Sequence, residues 1–254
     1  MLAVVSPAKK LDTSSLSRAL PLTQPGLLED TEALMQTTRG LKPSDLQSLM
    51  SISENLATLN HERFQSFSTP FTVDNSKPAA LMFNGDTYTG LEASSLSDAD
   101  LTWAQDHLAI LSGLYGILRP LDLIQPYRLE MGTRLKTDRG SNLYQFWGEL
   151  ITNQIAGRVE EHADQTLVNL ASQEYFKSVK TAALPGATIT PAFKEMRENG
   201  PKMISFMAKR ARGMMARYII EGRVDRPEGL KDFTSGGYKF DPEASTETTL
   251  TFIR

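Results

Sequence analysis

Cysteine is absent from all 254 residues, and histidine occurs only three times. The first absence excludes disulfides, thiolate metal sites, cysteine-ligated iron–sulfur clusters and a cysteine nucleophile. The second leaves His61, His107 and His162 outside ligand spacing of one another, so no zinc or non-haem iron motif is visible. No structural metal and no cofactor are expected, and His61 and His162, in polar stretches, read as solvated. Long apolar runs are missing too, none approaching the roughly 20 residues of a transmembrane helix. The N-terminal MLAVVSPAKK places its apolar run before its lysines, the reverse of a secretory signal. A soluble cytoplasmic chain with no membrane partner is the expectation. Positive charge is not in excess either: the net charge is -3, so nucleic acid can be bound only through a local basic patch.

What is present is an interleaving of short apolar runs with helical patterns. Leu2 to Val5 reads as a buried strand that leaves at Ser6-Pro7, and residues 11 to 26 as an irregular segment punctuated by Pro21 and Pro25. Helices are predicted over 27–39, 43–51 and 52–66, a buried strand over 79–83, and a helix opening at Ser97 and running through Trp103. Residues 108–112 fit either a strand or the end of that helix, with strand preferred. One amphipathic helix is predicted over 143–159, then a strand at 166–170 and a short helix capped by Ser172. A strand pair at 187–196 and 202–207, a helix at 208–220 and strands at 238–240 and 250–253 complete the pattern. With no repeat and no clean linker, residues 1–254 form one domain of mixed α/β class, helices interleaved with a mixed sheet.

Five stretches carry residue types suited to chemistry. Ser6-Pro7-Ala8-Lys9-Lys10 follows the first strand, where open α/β sheets bind ligands, although a solvated loop has the same composition. Asn84-Gly85-Asp86-Thr87-Tyr88 lacks the glycine spacing of a nucleotide fingerprint; Asp86 or Tyr88 can do proton work there, or the stretch can be a plain Asx turn. Ser172-Gln173-Glu174-Tyr175-Phe176-Lys177 enters a helix, so Glu174 and Tyr175 are candidate acid–base residues and Lys177 a candidate phosphate ligand, against an ordinary Glu174–Lys177 surface pair. Gly113 and Gly116 flank Leu114 and Tyr115, offering amides to an anion beside Arg119 and Arg128. Finally, no acid lies between Glu198 and Glu221, whereas Lys202, Lys209, Arg210, Arg212 and Arg217 do. In that helix Met207, Ala211, Met214 and Tyr218 make a candidate buried stripe. Gly213 costs on the order of 1 kcal/mol relative to alanine, which implies close approach by another backbone or a ligand.

SPAKKLD, FNGDTYTGL, LSGLYGILRPLDLIQPYRLEMG, LYQFWG, NLASQEYFKSV and KRARGMMARYII, in this order, resemble the YaaA family of bacterial peroxide-stress-response proteins. The similarity runs almost from end to end, with Lys10 standing where a small hydroxyl residue is expected. The resemblance implies a cytoplasmic protein that protects against hydrogen peroxide by keeping unincorporated iron low. It also implies a single-domain α/β fold with a helix-hairpin-helix-like element and a positively charged cleft suited to DNA.

Two functional expectations follow. One is sequence-independent binding of double-stranded DNA through phosphate contacts from Lys9, Gly113, Gly116, Arg119, Arg128, Lys177, Lys209, Arg210 and Arg212. The other is an enzyme for a nucleotide-like or phosphorylated small ligand, with Asp86, Tyr88, Glu174 or Tyr175 moving protons and the cations holding the anion. A blander third possibility is an interaction protein acting through a partner. The first two differ in the shape they require: a long open groove for duplex DNA, a closed pocket of a few hundred cubic ångströms for a small ligand.

Overall fold

The computed structural model describes residues 1–16 and 18–254. In chain order the strands are β1 (Leu2–Val5), β2 (Lys77–Pro78), β3 (Leu108–Ser112), β4 (Gly116–Leu118), β5 (Leu123–Ile124), β6 (Leu167–Leu170), β7 (Thr188–Lys194), β8 (Lys239–Asp241) and β9 (Thr249–Ile253). The helices are α1 (Leu28–Arg39), α2 (Pro43–Met50), α3 (Glu54–Ser66), α4 (Ala79–Met82), α5 (Asp86–Leu91), α6 (Asp98–His107), α7 (Leu143–Trp147), α8 (Leu150–Glu160), α9 (Gln173–Phe176) and α10 (Ser205–Glu221). Seven strands form one sheet in the order β4-β3-β1-β6-β7-β9-β8. Its five inner strands run parallel, and antiparallel β4 and β8 close the two edges. β2 and β5 make a separate antiparallel pair.

The strand sequences explain the layering. β1, β3 and β6 are buried along their whole length, as parallel strands covered on both faces must be. β7, nearer the edge, alternates buried and half-buried residues. From β1 the chain passes through α1 to α6 to β3 on one side, and later returns to β6 on β1's other side. Strand order therefore reverses between β1 and β6, which opens a crevice beyond their C-terminal ends.

Several sequence expectations change here. Residues 108–112 are a strand, and 113–115 turn it into β4, so the stretch from Asp98 is helix–strand–turn–strand and the helix-hairpin-helix-like reading of it fails. Residues 79–82 are a short helix rather than a strand; the run is too short for periodicity to decide, and the Ala79 and Ala80 amides donate to the carbonyls of Asp122 and Pro120. The helix expected over 143–159 is two, broken at Gly148 with φ of 52°. Residue 202 contributes only a bridge to Glu195, and from Ser205 the chain is already helical. His162, expected to be solvated, is half-buried in a stack: His107 stacks on Trp103 at 3.6 Å and His162 on His107 at 4.6 Å, and burial lowers the pKa of both.

The buried face of α10 is Ala208, Ala211, Gly213, Met215, Ala216, Ile219 and Ile220, about one position round from the expected stripe. The cause is α5. A Cβ on Gly213 would collide with the Thr87 carbonyl oxygen, and one on Gly90 with the Arg210 carbonyl oxygen, so the two helices cross backbone to backbone through facing glycines. That rotation carries Arg212 inward and leaves Arg210 exposed.

Candidate functional site

A cavity of about 470 Å³ lies beyond the C-terminal ends of β1 and β6, in the size range of small-ligand pockets. Residues following each strand join at its floor. The Ser172 amide donates to Ser6 Oγ at 2.9 Å, and Ser6 Oγ donates in turn to Ser172 Oγ at 3.3 Å. Ser172 has the extended backbone of a helix N-cap but makes no side-chain cap bond to α9, because its hydroxyl faces Ser6. Three tyrosines, Tyr88, Tyr127 and Tyr175, line the cavity. The Tyr88 hydroxyl donates to the Ser6 carbonyl at 3.1 Å, and the Tyr127 hydroxyl bonds Ser112 Oγ at 2.6 Å. Burial pushes all three phenols up, so they stay neutral at physiological pH and present carbon surface.

Charge on the cavity wall is distributed unevenly. Lys9 Nζ lies 3.2 Å and Arg128 Nε 3.1 Å from the same Glu130 carboxylate oxygen, so these two cations share one protein counter-ion. Lys10, Lys209 and Arg212 also line the cavity and have no ion pair among the described residues. Of these, Arg212 is half-buried, and burial alone lowers the pKa of its guanidinium. Glu174, also on the wall, has no ion pair among the described residues; its Oε1 accepts the Gly132 amide at 3.0 Å. Asp86, in the first turn of α5, is exposed at the rim.

Of the residues named from sequence, Lys9, Asp86, Tyr88, Arg128, Glu174, Tyr175, Lys209 and Arg212 thus come together from five stretches of the chain. Five do not join them. Gly113 and Gly116 are buried in the β3–β4 turn: a Cβ on Gly113 would strike the Leu129 carbonyl, and one on Gly116 would crowd Trp147, whose indole donates to the Gly113 carbonyl at 3.0 Å. Their role is packing, and no phosphate reaches those amides. Arg119 is tied to buried Asp122 at 3.1 Å. Lys177 sits over the Tyr144 ring at 5.1 Å in place of the expected pair with Glu174, and Arg210 is on the exposed side of α10. Sequence reasoning gave Ser172 only a helix-capping role, which its side chain does not take, and none to Tyr127 or Glu130. Glu130 follows Arg128 by two residues, but that it also reaches Lys9 depends on the fold.

Among the described residues no three His, Cys, Asp or Glu side chains cluster as a metal site, and no helix is long and apolar enough to cross a membrane.

Comparison with known proteins covers the whole cavity. The profile of the family described as peroxide stress protein YaaA matches residues 1–244. A UPF0246 protein of Alteromonas mediterranea is 55% identical over 254 residues, covering 100% of this chain and 98% of its own length. UPF0246 proteins of Magnetococcus marinus and Aliivibrio fischeri are 54% and 52% identical over the same 254 residues, covering 99% and 98% of their own lengths.

Proposed function

Because the chain belongs to the peroxide stress protein YaaA family, we propose that it serves peroxide defence in the cytoplasm by binding a phosphorylated small ligand in the cavity between β1 and β6. One observation carries the reading: Arg212, a half-buried guanidinium on the cavity wall, has no ion pair among the described residues. A cation held partly out of water without a partner is destabilised, and a ligand phosphate offers the paired, charge-assisted hydrogen bonds that guanidinium geometry favours. Lys209, one turn earlier on α10, and Lys10, after β1, add positive charge to the same space. A lower free-iron level is, in this reading, a downstream consequence of ligand binding.

A second reading, contact with duplex DNA, is favoured by the outer side of α10. Lys209 and Arg210 are exposed there, and Lys202 is exposed in the segment before the helix, with no ion pair among the described residues. Such a strip suits phosphate-backbone contact that weakens steeply with salt.

Thermal-shift titration with pyrophosphate and anisotropy titration with a labelled duplex at two salt concentrations separate the two. The cavity reading expects stabilisation by pyrophosphate that is lost in Arg212→Ala and kept in Arg210→Glu. Duplex binding lost in Arg210→Glu, with no pyrophosphate response in the wild type, would instead move the function to the surface of α10.

A further inference from the structure

We infer that the cavity's occupant is a nucleoside monophosphate, held with its phosphate at Arg212 and Lys209, its ring system against Tyr127 and Tyr175, and its hydrogen-bond donors toward Glu174. The inference rests on the phosphate reading above and goes further by specifying the rest of the ligand.

Unpaired charges of both signs line the cavity. From α10, Lys209 and Arg212 face it with no ion pair among the described residues. From α9, Glu174 faces it with no ion pair among the described residues, one carboxylate oxygen accepting the Gly132 amide. A simple dianion such as phosphate satisfies the two cations and leaves Glu174 without a donor from the ligand. A ligand that joins an anionic group to N–H or O–H donors satisfies both, since a carboxylate is an acceptor only.

Tyrosine rings also line the cavity. Tyr127 bonds Ser112 through its hydroxyl at 2.6 Å, so what it offers a ligand is ring surface, and the Tyr175 ring lines the same space. Planar rings are the partners such surfaces pack against best. A sugar phosphate alone leaves that surface uncovered, whereas a base joined through ribose to phosphate supplies the plane, the donors and the charge in one molecule. The 470 Å³ volume matches one nucleotide-sized ligand.

Calorimetric titration of the full chain with inorganic phosphate, ribose 5-phosphate, adenosine and each of the four common nucleoside monophosphates tests the assignment. At least one monophosphate is expected to bind tenfold or more tightly than both ribose 5-phosphate and its own nucleoside. Glu174→Gln, which keeps an acceptor for the Gly132 amide, is expected to weaken that monophosphate at least fivefold while leaving ribose 5-phosphate unchanged. Equal affinity for ribose 5-phosphate and every monophosphate overturns the nucleotide assignment and leaves the phosphate reading standing. An unchanged Glu174→Gln affinity overturns the orientation. No response to any phosphate-bearing probe overturns the phosphate reading itself. Melting curves of the variant confirm that it is folded.

Discussion

Replacing Arg212 by alanine is expected to separate binding from stability. The side chain is half-buried and makes no ion pair among the described residues, so its loss removes a partial desolvation cost and the melting temperature should stay level or rise. Phosphate binding should fall about 10- to 100-fold, the worth of a charged hydrogen bond at roughly 1.5–3 kcal/mol. Calorimetry and a thermal melt on one preparation check both. Glu195 behaves in the opposite way. Burial pushes its carboxyl up, but the Tyr238 hydroxyl at 2.5 Å and the Arg254 guanidinium at 2.9 Å outweigh burial and hold it below the usual range. A depressed carboxyl contributes stability that is present above the unfolded value, near about 4.3, and is lost as pH falls through the folded one. Glu195→Gln should therefore cost about 1–3 kcal/mol at pH 7, and the gap to wild type should narrow below about pH 4. Denaturant titrations at pH 7 and pH 3.5 read it directly, and an equal gap at both would refute the pairing.

The crossing of α5 and α10 is the element that shapes the cavity wall, and glycine makes it possible. Gly213→Ala sets a methyl group against the Thr87 carbonyl and must push the helices apart, at a cost of about 1–3 kcal/mol or more. It should also weaken ligand binding, because Lys209 and Arg212 move with α10. Gly157 in α8 is the matched control: a Cβ there meets nothing within 4 Å, so Gly157→Ala should stabilise by up to about 1 kcal/mol through helix propensity and leave binding unchanged. From sequence, the interior glycine of α10 already implied close approach, but not which backbone approached it. Long or strongly patterned elements were legible in the same way: β1, α1 to α3, α6 and β6 follow their apolar periods and caps within a residue or two. Ala79–Met82 was not, since four apolar residues carry no period, and neither was the break at Gly148, where the apolar face continues across a positive φ.

At the scale of the molecule, topology decides which charges meet. Lys9, Asp86 and Glu174 were recognisable as chemistry-bearing residues because they follow strands or start helices, and Arg212 because its helix is basic and free of acids; strand reversal between β1 and β6 gathers them. Arg119 and Lys177 looked equivalent in sequence and are not, because Asp122 and the Tyr144 ring occupy them. Gly113 and Gly116 resembled an exposed anion grip, yet the strands on either side bury them. Pairing across 100 residues or more, as between Lys9 and Glu130, has no local signature.

The most direct test of the phosphate assignment is a crystal structure of the protein grown with adenosine monophosphate and the three other common nucleoside monophosphates in parallel. Density for a phosphate group in contact with the Arg212 guanidinium, inside the cavity and beyond the ends of β1 and β6, is the predicted result. Phosphate density confined to the exposed side of α10 around Arg210, with the cavity holding only water, would contradict it.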